Sequence, residues 1–364
     1  MRRSLLKRAL IGTMTIALAA FGSAWLLYTS IDPLEEAAPK ASREEARASL
    51  AHVNRWGYQL QHVNLDEAER SPLDLIVVDE TVNGSHDPRD AARGLLRLKR
   101  KSDGGPRMVL SYLSIGEAED FRSYWNIGWV RPTHASEVTP TPDTYYTTAG
   151  APAKRHQSKF AAPPGLKPLS ELTAAAPRWL GPENRSWRGN YRVRFWDPDW
   201  QKLIYGNPDA ALDRLIASGF DGVYIDRADV FAPWLAERPS AMADMEAFVT
   251  KLAAYARTKR PGFLVIMQNA EELLSKRDVR MALDAVAKED LLYGLDGTTR
   301  ANSAQEVEAS LRYLKMARRD GLPILVVEYL DELPKMEAAR RRILAEGFIP
   351  YFGPRPLNAL GQAG

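Results

Sequence analysis

The hydrophobic pattern of this chain alternates between short apolar runs and longer amphipathic stretches. Apolar runs of strand length occupy eight segments: 73–78, 108–115, 191–196, 222–225, 263–267, 285–287, 324–327 and 348–352. Several of these runs are continuous rather than alternating, which is typical of strands that are buried on both faces. A shorter run at 56–61 precedes them and predicts an extra N-terminal strand.

Helical periodicity fills the intervals between these runs. Amphipathic stretches cover 90–101, 208–218, 241–260, 304–320 and 335–346. Eight strands that alternate with helices predict an α/β fold, namely a (β/α)8 TIM barrel with the extra N-terminal strand. A doubly wound open sheet is the structural alternative. The first predicted strand is not followed by a Gly-x-Gly-x-x-Gly turn, so a dinucleotide site is not indicated.

The predicted barrel domain covers residues 51–356, and residues 357–364 form a tail. Within it, residues 132–178 are rich in Pro, Ala, Thr and Ser and show no clear period. They predict a long loop insertion after the second barrel strand. Because loops of this length in a compact domain are usually functional or disordered, the insertion is interpreted as a lid, a groove wall or a flexible surface loop.

The N-terminal residues predict export. Residues 1–8 contain four basic side chains, and residues 10–28 are uncharged and mostly apolar. A length of about 19 residues exceeds the core of a signal peptide and just suffices to span a bilayer. Residues 1–30 therefore predict a cleaved signal peptide or an anchor in the inner membrane, with residues 31–50 as a tether. The protein is expected in the periplasm or outside the cell.

Composition narrows the range of functions. The net charge is only +3 over 364 residues, without a dense Lys/Arg stripe, so no nucleic-acid partner is expected. The chain has no Cys, which excludes disulfides. The five histidines form no His-x-x-x-His pair, and neither a P-loop nor a Gly-x-Ser-x-Gly motif is present. No metal and no organic cofactor is therefore expected.

Carboxylates and aromatic residues recur after the predicted strands, where a (β/α)8 barrel builds its active site. Asp226 ends the run 222–225 and Glu289 closely follows 285–287. We predict that these two form a catalytic pair acting on a glycosidic bond, since crowding raises the pKa of one carboxyl towards neutrality. Tyr224 lies inside its strand, and packing is the better interpretation for it. Further candidates for substrate binding are Asp79, Glu117, Glu119, Trp125, Trp196, Asp197, Asn269, Glu271, Tyr293, Glu328 and Tyr351.

Several motifs lie in order between about residues 55 and 353. They are WGYQLQ at 56–61, YLSIGEAEDFRSYW at 112–125, WLGPEN at 179–184, GNY at 189–191, WDPDWQ at 196–201, FDGVYID at 220–226, QNAEEL at 268–273 and KEDLLYG at 288–294. Together they resemble glycoside hydrolase family 114, the endo-α-1,4-polygalactosaminidase-like proteins, in its bacterial and archaeal branch. The insertion at 132–178 departs from the family pattern.

The resemblance implies a TIM barrel that hydrolyses α-1,4-linked galactosamine polymers. It also implies catalytic carboxylates after the fourth and sixth strands, at Asp226 and Glu289. One would protonate the leaving oxygen, and the other would act as nucleophile or as base towards water. The implied partner is a polysaccharide substrate. Two alternatives stay open: a glycosidase acting on another envelope exopolysaccharide, and a carbohydrate-binding barrel without catalysis.

Overall fold

The computed structural model describes residues 41–82, 88–132, 145–146, 152–153, 170–184 and 186–363. The predicted signal or anchor at 1–30, the first part of the tether and most of the loop insertion lie outside these residues. Across the described ranges, no helix is both long enough and apolar enough to cross a membrane.

The strands of the described residues are numbered in chain order. They are β1 (Trp56–Tyr58), β2 (Leu75–Val78), β3 (Met108–Ser114), β4 (Glu117–Glu119), β5 (Val130–Pro132), β6 (Tyr145–Tyr146), β7 (Pro152–Ala153), β8 (Ser170–Leu172), β9 (Leu180–Glu183), β10 (Asn190–Val193), β11 (Gly222–Asp226), β12 (Leu264–Gln268), β13 (Ala285–Glu289), β14 (Ile324–Glu328), β15 (Ile349–Phe352) and β16 (Gln362–Ala363).

The α-helices of the described residues are numbered in the same way. They are α1 (Arg43–Leu50), α2 (Leu65–Arg70), α3 (Pro88–Leu98), α4 (Pro198–Ile204), α5 (Ala211–Ser218), α6 (Phe231–Trp234), α7 (Ala241–Lys259), α8 (Arg277–Ala282), α9 (Ala304–Arg319) and α10 (Leu333–Ala345).

Eight parallel strands form a nearly closed TIM barrel. Their order in the sheet is β1-β2-β3-β11-β12-β13-β14-β15, and β16 pairs with β15 in the antiparallel sense. The indole nitrogen of Trp56 donates to the carbonyl of Ile349 (3.0 Å), which links the first parallel strand to the last. The predicted fold class is confirmed, because sequential parallel strands separated by helices close on themselves.

Two predicted strands have other places in the fold. The run 191–196 is not a barrel strand, because β10 pairs antiparallel with β4 and β9 in a small separate sheet. The run 56–61 supplies β1, the first barrel strand, rather than an extra one. These two corrections offset each other, so Asp226 and Glu289 still end the fourth and sixth barrel strands. The insertion consequently follows the third barrel strand, not the second, and the predicted tail contains β16.

The core has an inner and an outer layer. Alternate residues of the parallel strands point into the barrel, where four fully buried aromatic rings pack together: Trp56, Tyr58, Tyr224 and Tyr351. The Trp56 and Tyr351 ring centroids are 5.3 Å apart, and those of Tyr58 and Tyr224 are 5.1 Å apart. The other residues of each strand pack against the helices in the outer layer. Aromatic packing therefore fills the barrel interior beneath the strand ends.

Helix α1 packs against the barrel. The guanidinium group of Arg43, at the start of this helix, donates to Oδ1 of Asp284 (2.9 Å). Asp284 is fully buried and immediately precedes β13. Leu50, at the other end of the helix, belongs to the inner core layer. Both contacts lie at the amino ends of the strands, so α1 covers the end of the barrel opposite the predicted active site.

Candidate active site

Three neighbouring strands are each followed directly by a non-glycine residue in the left-handed backbone conformation. These residues are Arg227 after β11 (φ 63°), Asn269 after β12 (φ 55°) and Asp290 after β13 (φ 52°). Such residues store backbone strain and cluster at functional sites. The backbone alone thus marks the carboxyl ends of β11, β12 and β13 as a candidate site.

Asp226 is the last residue of β11, and its half-buried carboxylate accepts two hydrogen bonds from neutral side chains. The hydroxyl of Tyr112 donates to Oδ2 (3.0 Å), and the amide nitrogen of Gln268 donates to Oδ1 (3.0 Å). The Tyr224 hydroxyl donates to Oε1 of Gln268 and so fixes the direction in which the amide points. Burial raises the pKa of Asp226, while the positive charge of Arg227 and the Tyr112 hydrogen bond oppose the increase.

Glu289 is the last residue of β13 and is held in a similar way. The amide nitrogen of Asn269 donates to Oε2 (3.1 Å), and the hydroxyl of Tyr329 donates to Oε1. Asn269 is itself oriented, because its Oδ1 accepts from the backbone nitrogen of Glu289 (3.1 Å). Burial, followed by the negative charge of Asp226, raises the pKa of Glu289 to about 7. The two carboxyls are therefore close enough to influence each other's ionisation.

Ion pairing separates this pair from most other acids at the strand ends. Among the described residues, neither Asp226 nor Glu289 has a Lys or Arg side chain at salt-bridge distance. In contrast, Arg122 is buried among three carboxylates and contacts Asp79 (2.7 Å), Glu119 (2.7 Å) and Glu80 (3.2 Å). Burial raises the pKa of Glu119 to about 7 in spite of this cation. Arg122 thus balances much of the crowding that the sequence led us to attribute to substrate binding.

Glu117 is also paired. Its Oε1 accepts from the guanidinium group of Arg227 (3.0 Å) and from the amide of Asn184 (2.9 Å). Because Arg227 directly follows Asp226, Glu117 lies near the carboxylate of Asp226, and it is almost completely buried. This arrangement makes Glu117 a bridge between the barrel and the strand β9 that precedes Asn184.

Two predicted substrate-binding acids lie inside the protein. Glu271 contacts the buried ammonium of Lys288 (3.0 Å) and the hydroxyl of Ser310 (2.7 Å) on α9. Glu328 is fully buried, and its carboxylate accepts from the backbone nitrogens of Leu292 (2.7 Å) and Tyr293 (3.2 Å). Burial raises the pKa of Glu328 to about 8. Both side chains brace neighbouring segments rather than face an open surface.

The predicted aromatic candidates are engaged in packing. The ring of Trp125 contacts Tyr191 (4.7 Å between centroids), and Trp196 contacts Trp234 (5.7 Å). Tyr293 is half-buried against the outer core layer. Tyr351 is fully buried and bonds only to backbone atoms, accepting from Gly361 N (2.7 Å) and donating to the carbonyl of Tyr58 (3.3 Å).

Asp197 lies at the start of α4. Its Oδ1 accepts from the backbone nitrogen of Asp199 (2.8 Å), so Asp197 acts as the N-cap of this helix. Asn269 is the predicted binding residue that the structure places in direct contact with the carboxylate pair. Across the described ranges, no group of three or more His, Cys, Asp or Glu residues is arranged to hold a metal ion.

Sequence reasoning missed four side chains that hold the pair: Tyr112, Gln268, Tyr329 and Tyr224. Gln268 and Tyr329 are adjacent to the predicted candidates Asn269 and Glu328, so their neighbourhood was indicated. The role of Tyr112 depends on the pairing of β3 with β11, and that of Tyr224 depends on the pairing of β11 with β12. No single sequence motif determines strand register. Tyrosines inside a strand are more often core residues, so their hydroxyl contacts were not predicted.

A family model matches more than half of the chain. The model of glycoside-hydrolase family GH114 matches residues 168–363. An uncharacterised protein of Deinococcus radiodurans is 34% identical over 318 residues, which are 86% of this chain and 84% of that protein. Another uncharacterised protein, MJ1477 of Methanocaldococcus jannaschii, is 29% identical over 81% of this chain and 74% of its own length.

Two solved structures share the barrel. The glycoside hydrolase domain of PelA from Pseudomonas aeruginosa is 17% identical, with a TM-score of 0.56, and the match covers 85% of this chain and 98% of that domain. Ega3 of Aspergillus fumigatus, solved as a complex with galactosamine, is 16% identical with a TM-score of 0.53 over 85% of this chain and 95% of Ega3. At these identities the likeness shows the fold.

Proposed function

The chain belongs to glycoside-hydrolase family GH114, and we propose that it cleaves α-1,4-linked polymers of galactosamine and N-acetylgalactosamine with the carboxylates of Asp226 and Glu289. The observation that carries this proposal is the pair itself. Two half-buried carboxylates end the fourth and sixth strands of one barrel, influence each other's pKa and accept side-chain hydrogen bonds from phenol and amide groups. The galactosamine bound to Ega3 supports an amino sugar as the repeating unit.

We assign the two roles from the raised pKa of Glu289. Glu289, with a pKa raised to about 7, keeps its proton near neutral pH and serves as the general acid. We assign the ionised role to Asp226, whose negative charge helps to keep the proton on Glu289. Glu289 gives its proton to the glycosidic oxygen as the bond from that oxygen to the anomeric carbon breaks. Asp226 acts at the anomeric carbon, as a nucleophile or as a base towards water.

The neighbouring side chains keep the two carboxyls in these roles. Tyr112 and Gln268 donate to Asp226 and so favour its ionised form. Tyr329 and Asn269 fix the orientation of Glu289. We extend the proposal to Asp79, Glu117 and Glu119 as acids that surround the sugar-binding mouth, held in place by Arg122 and Arg227. The predicted export through residues 1–30 suits an extracellular polysaccharide.

The proposal is tested by measuring reducing ends released from α-1,4-galactosaminan, partly and fully acetylated, by residues 41–364. We expect Asp226→Asn and Glu289→Gln each to lower kcat by at least about 1,000-fold, because each removes a proton-transfer or nucleophilic group. The matched control is Asp199→Asn, at an exposed carboxylate that pairs with Lys202 on α4; its activity should stay within about twofold of wild type.

The outcomes separate the alternatives. Full activity in Asp226→Asn or in Glu289→Gln would rule out the carboxylate pair. Cleavage of another envelope polysaccharide, but not of galactosaminan, would keep the hydrolase and change its substrate. Retention of the polymer without any cleavage would indicate a carbohydrate-binding barrel. Thermal unfolding of each variant, followed by circular dichroism, verifies that the loss of activity is not a loss of fold.

A further inference from the structure

We propose that Trp187 and Phe121 form an aromatic platform that binds sugar rings of the polymer beyond those flanking the cleaved bond. This inference rests on the proposed function. The side chain of Trp187 is 48% exposed and that of Phe121 is 60% exposed, whereas most large aromatic residues of the described chain are buried. Both lie in the segment between the third and fourth barrel strands, outside the insertion at 132–178, and neither is among the candidates predicted from sequence.

Strand pairing brings the two exposed rings to the same corner of the small sheet. Strands β4 and β10 pair antiparallel, with Glu119 opposite Asn190. Beyond this pair, the backbone nitrogen of Asp120 donates to the carbonyl of Gly189 (2.8 Å). Phe121 follows Asp120, and Trp187 lies two residues before Gly189. The two side chains therefore project from neighbouring segments of this sheet.

The backbone beneath Trp187 is held by several hydrogen bonds. Oδ1 of Asn184 accepts from the backbone nitrogens of Ser186 (3.0 Å) and Trp187 (3.3 Å). The carbonyl of Trp187 accepts from both the backbone nitrogen and the amide of Asn190 (3.2 and 3.3 Å). A half-exposed ring on such a fixed turn is preorganised, so little conformational entropy is lost when a ligand stacks on it.

A continuous chain of contacts joins this turn to the carboxylate pair. The amide of Asn184 donates to Glu117 (2.9 Å), and the guanidinium group of Arg227 donates to the same oxygen (3.0 Å). Arg227 is the residue that follows Asp226. On the other side, the guanidinium group of Arg122 lies over the Phe121 ring, 4.8 Å from its centroid. The platform thus stands on the same residues that border the proposed sugar-binding mouth.

The chemistry of the platform matches a sugar polymer. An exposed indole ring binds the apolar C–H face of a pyranose, and it also attracts an ammonium group through the cation–π interaction. A galactosamine polymer presents both groups along one chain. Since the platform is tied through Glu117 and Arg227 to the site at Asp226, we place it on the path of a long substrate, whereas a disaccharide would remain over the carboxylates.

The test compares the binding of polymer and of disaccharide in a Glu289→Gln background, which leaves the polymer uncut. The probes are partly deacetylated α-1,4-galactosaminan and the corresponding disaccharide, measured by isothermal titration calorimetry. We expect Trp187→Ala to raise the Kd of the polymer roughly 3- to 10-fold and to leave the Kd of the disaccharide unchanged. Trp187→Phe retains an aromatic ring and should stay within about twofold of the parent.

The matched control is Leu344→Ala, which removes a similarly exposed apolar side chain (53%) near the end of α10; it should bind as the parent does. Equal polymer binding by Trp187→Ala, or equal weakening for polymer and disaccharide, would overturn the platform. A change of oligomeric state in Trp187→Ala, seen by sedimentation, would overturn it in favour of a contact between copies. If the parent binds no galactosaminan and the wild type cuts none, the proposed function fails, and the platform fails with it.

Discussion

At the scale of single residues, the candidate site is defined by the kind of donor that each carboxylate meets. A guanidinium or ammonium partner forms charge-assisted hydrogen bonds with a carboxylate, as Arg122 does with Asp79. Phenol and amide donors hold the geometry and lower the pKa, but they do not fully offset the increase caused by burial. Asp226 and Glu289 are in the second situation. For Glu289 the result is a pKa of about 7, which suits a group that gives up a proton near neutral pH.

The Tyr224–Gln268 contact gives a prediction at this scale. Tyr224→Phe removes the hydroxyl that orients the Gln268 amide, so Asp226 loses a directed donor and its pKa rises. We expect kcat/KM to fall roughly 3- to 10-fold, and the acidic limb of the pH profile to move to higher pH, since Asp226 must be ionised. Steady-state kinetics across pH provide the measurement.

Tyr351→Phe is the matched control for Tyr224→Phe. It removes a phenol hydroxyl from the same aromatic core, but that hydroxyl bonds only to backbone atoms. It should leave the acidic limb in place while lowering stability modestly. An acidic limb that moves equally in both variants, or in neither, would show that Tyr224 has only a packing role.

The positions of the catalytic candidates were predictable from sequence, but the side chains that hold them were not. Asp226 and Glu289 follow apolar runs, and a barrel collects all such strand ends on one face. The contact of Tyr112 with Asp226 depends instead on the register between β3 and β11. Glu271 pairs with Lys288, and both side chains point away from the barrel interior. Counting the acids that follow strands does not show in which direction each side chain points.

At the scale of elements, one strand was assigned to the wrong sheet, and the sequence contains the reason. The run 191–196 has Arg192 and Arg194 alternating with apolar residues, which is the pattern of a half-buried antiparallel strand. The observed burial of β10 alternates in the same way. Barrel strand β11 is instead continuously apolar before Asp226. The run 56–61 was not predicted to be a barrel strand, because β1 is only three residues long, Trp56–Tyr58.

Helix α1 gives a prediction at the scale of elements. Arg43→Ala removes one of two arginines that pair with the fully buried Asp284, the other being Arg257 (2.8 Å). We expect the free energy of unfolding to fall by about 1–3 kcal/mol, because a buried carboxylate loses a charged partner. The activity at saturating substrate should change little, since this contact lies at the amino end of the barrel.

Chemical denaturation of the unit 41–364 provides this measurement. Arg47→Ala is the matched control, because it removes an arginine of the same helix for which no salt bridge is present within the described residues. It should cost less than about 0.5 kcal/mol. Equal destabilisation by the two substitutions would contradict an anchoring role for the Arg43–Asp284 pair.

At the scale of the whole molecule, the contacts of helix α1 and the candidate active site lie at opposite ends of the barrel. The amino end is covered by α1 and tied to Asp284. The carboxyl end carries the left-handed residues after three strands and the carboxyls whose pKa burial raises. The barrel itself was predictable because its alternation of strands and helices runs through the chain. The seam between β1 and β15 was not, since it joins the two ends of the domain.

The role of Glu289 as the general acid is best tested by the pH dependence of kcat/KM on fully N-acetylated α-1,4-galactosaminan, whose sugars do not titrate near neutrality. The wild type should lose activity about tenfold per pH unit above about 7, where Glu289 loses its proton. Tyr329→Phe removes a donor that lowers the pKa of Glu289, so its alkaline limb should lie at higher pH. An alkaline limb that stays in the same place in both proteins, or no limb near pH 7, would contradict Glu289 as the general acid.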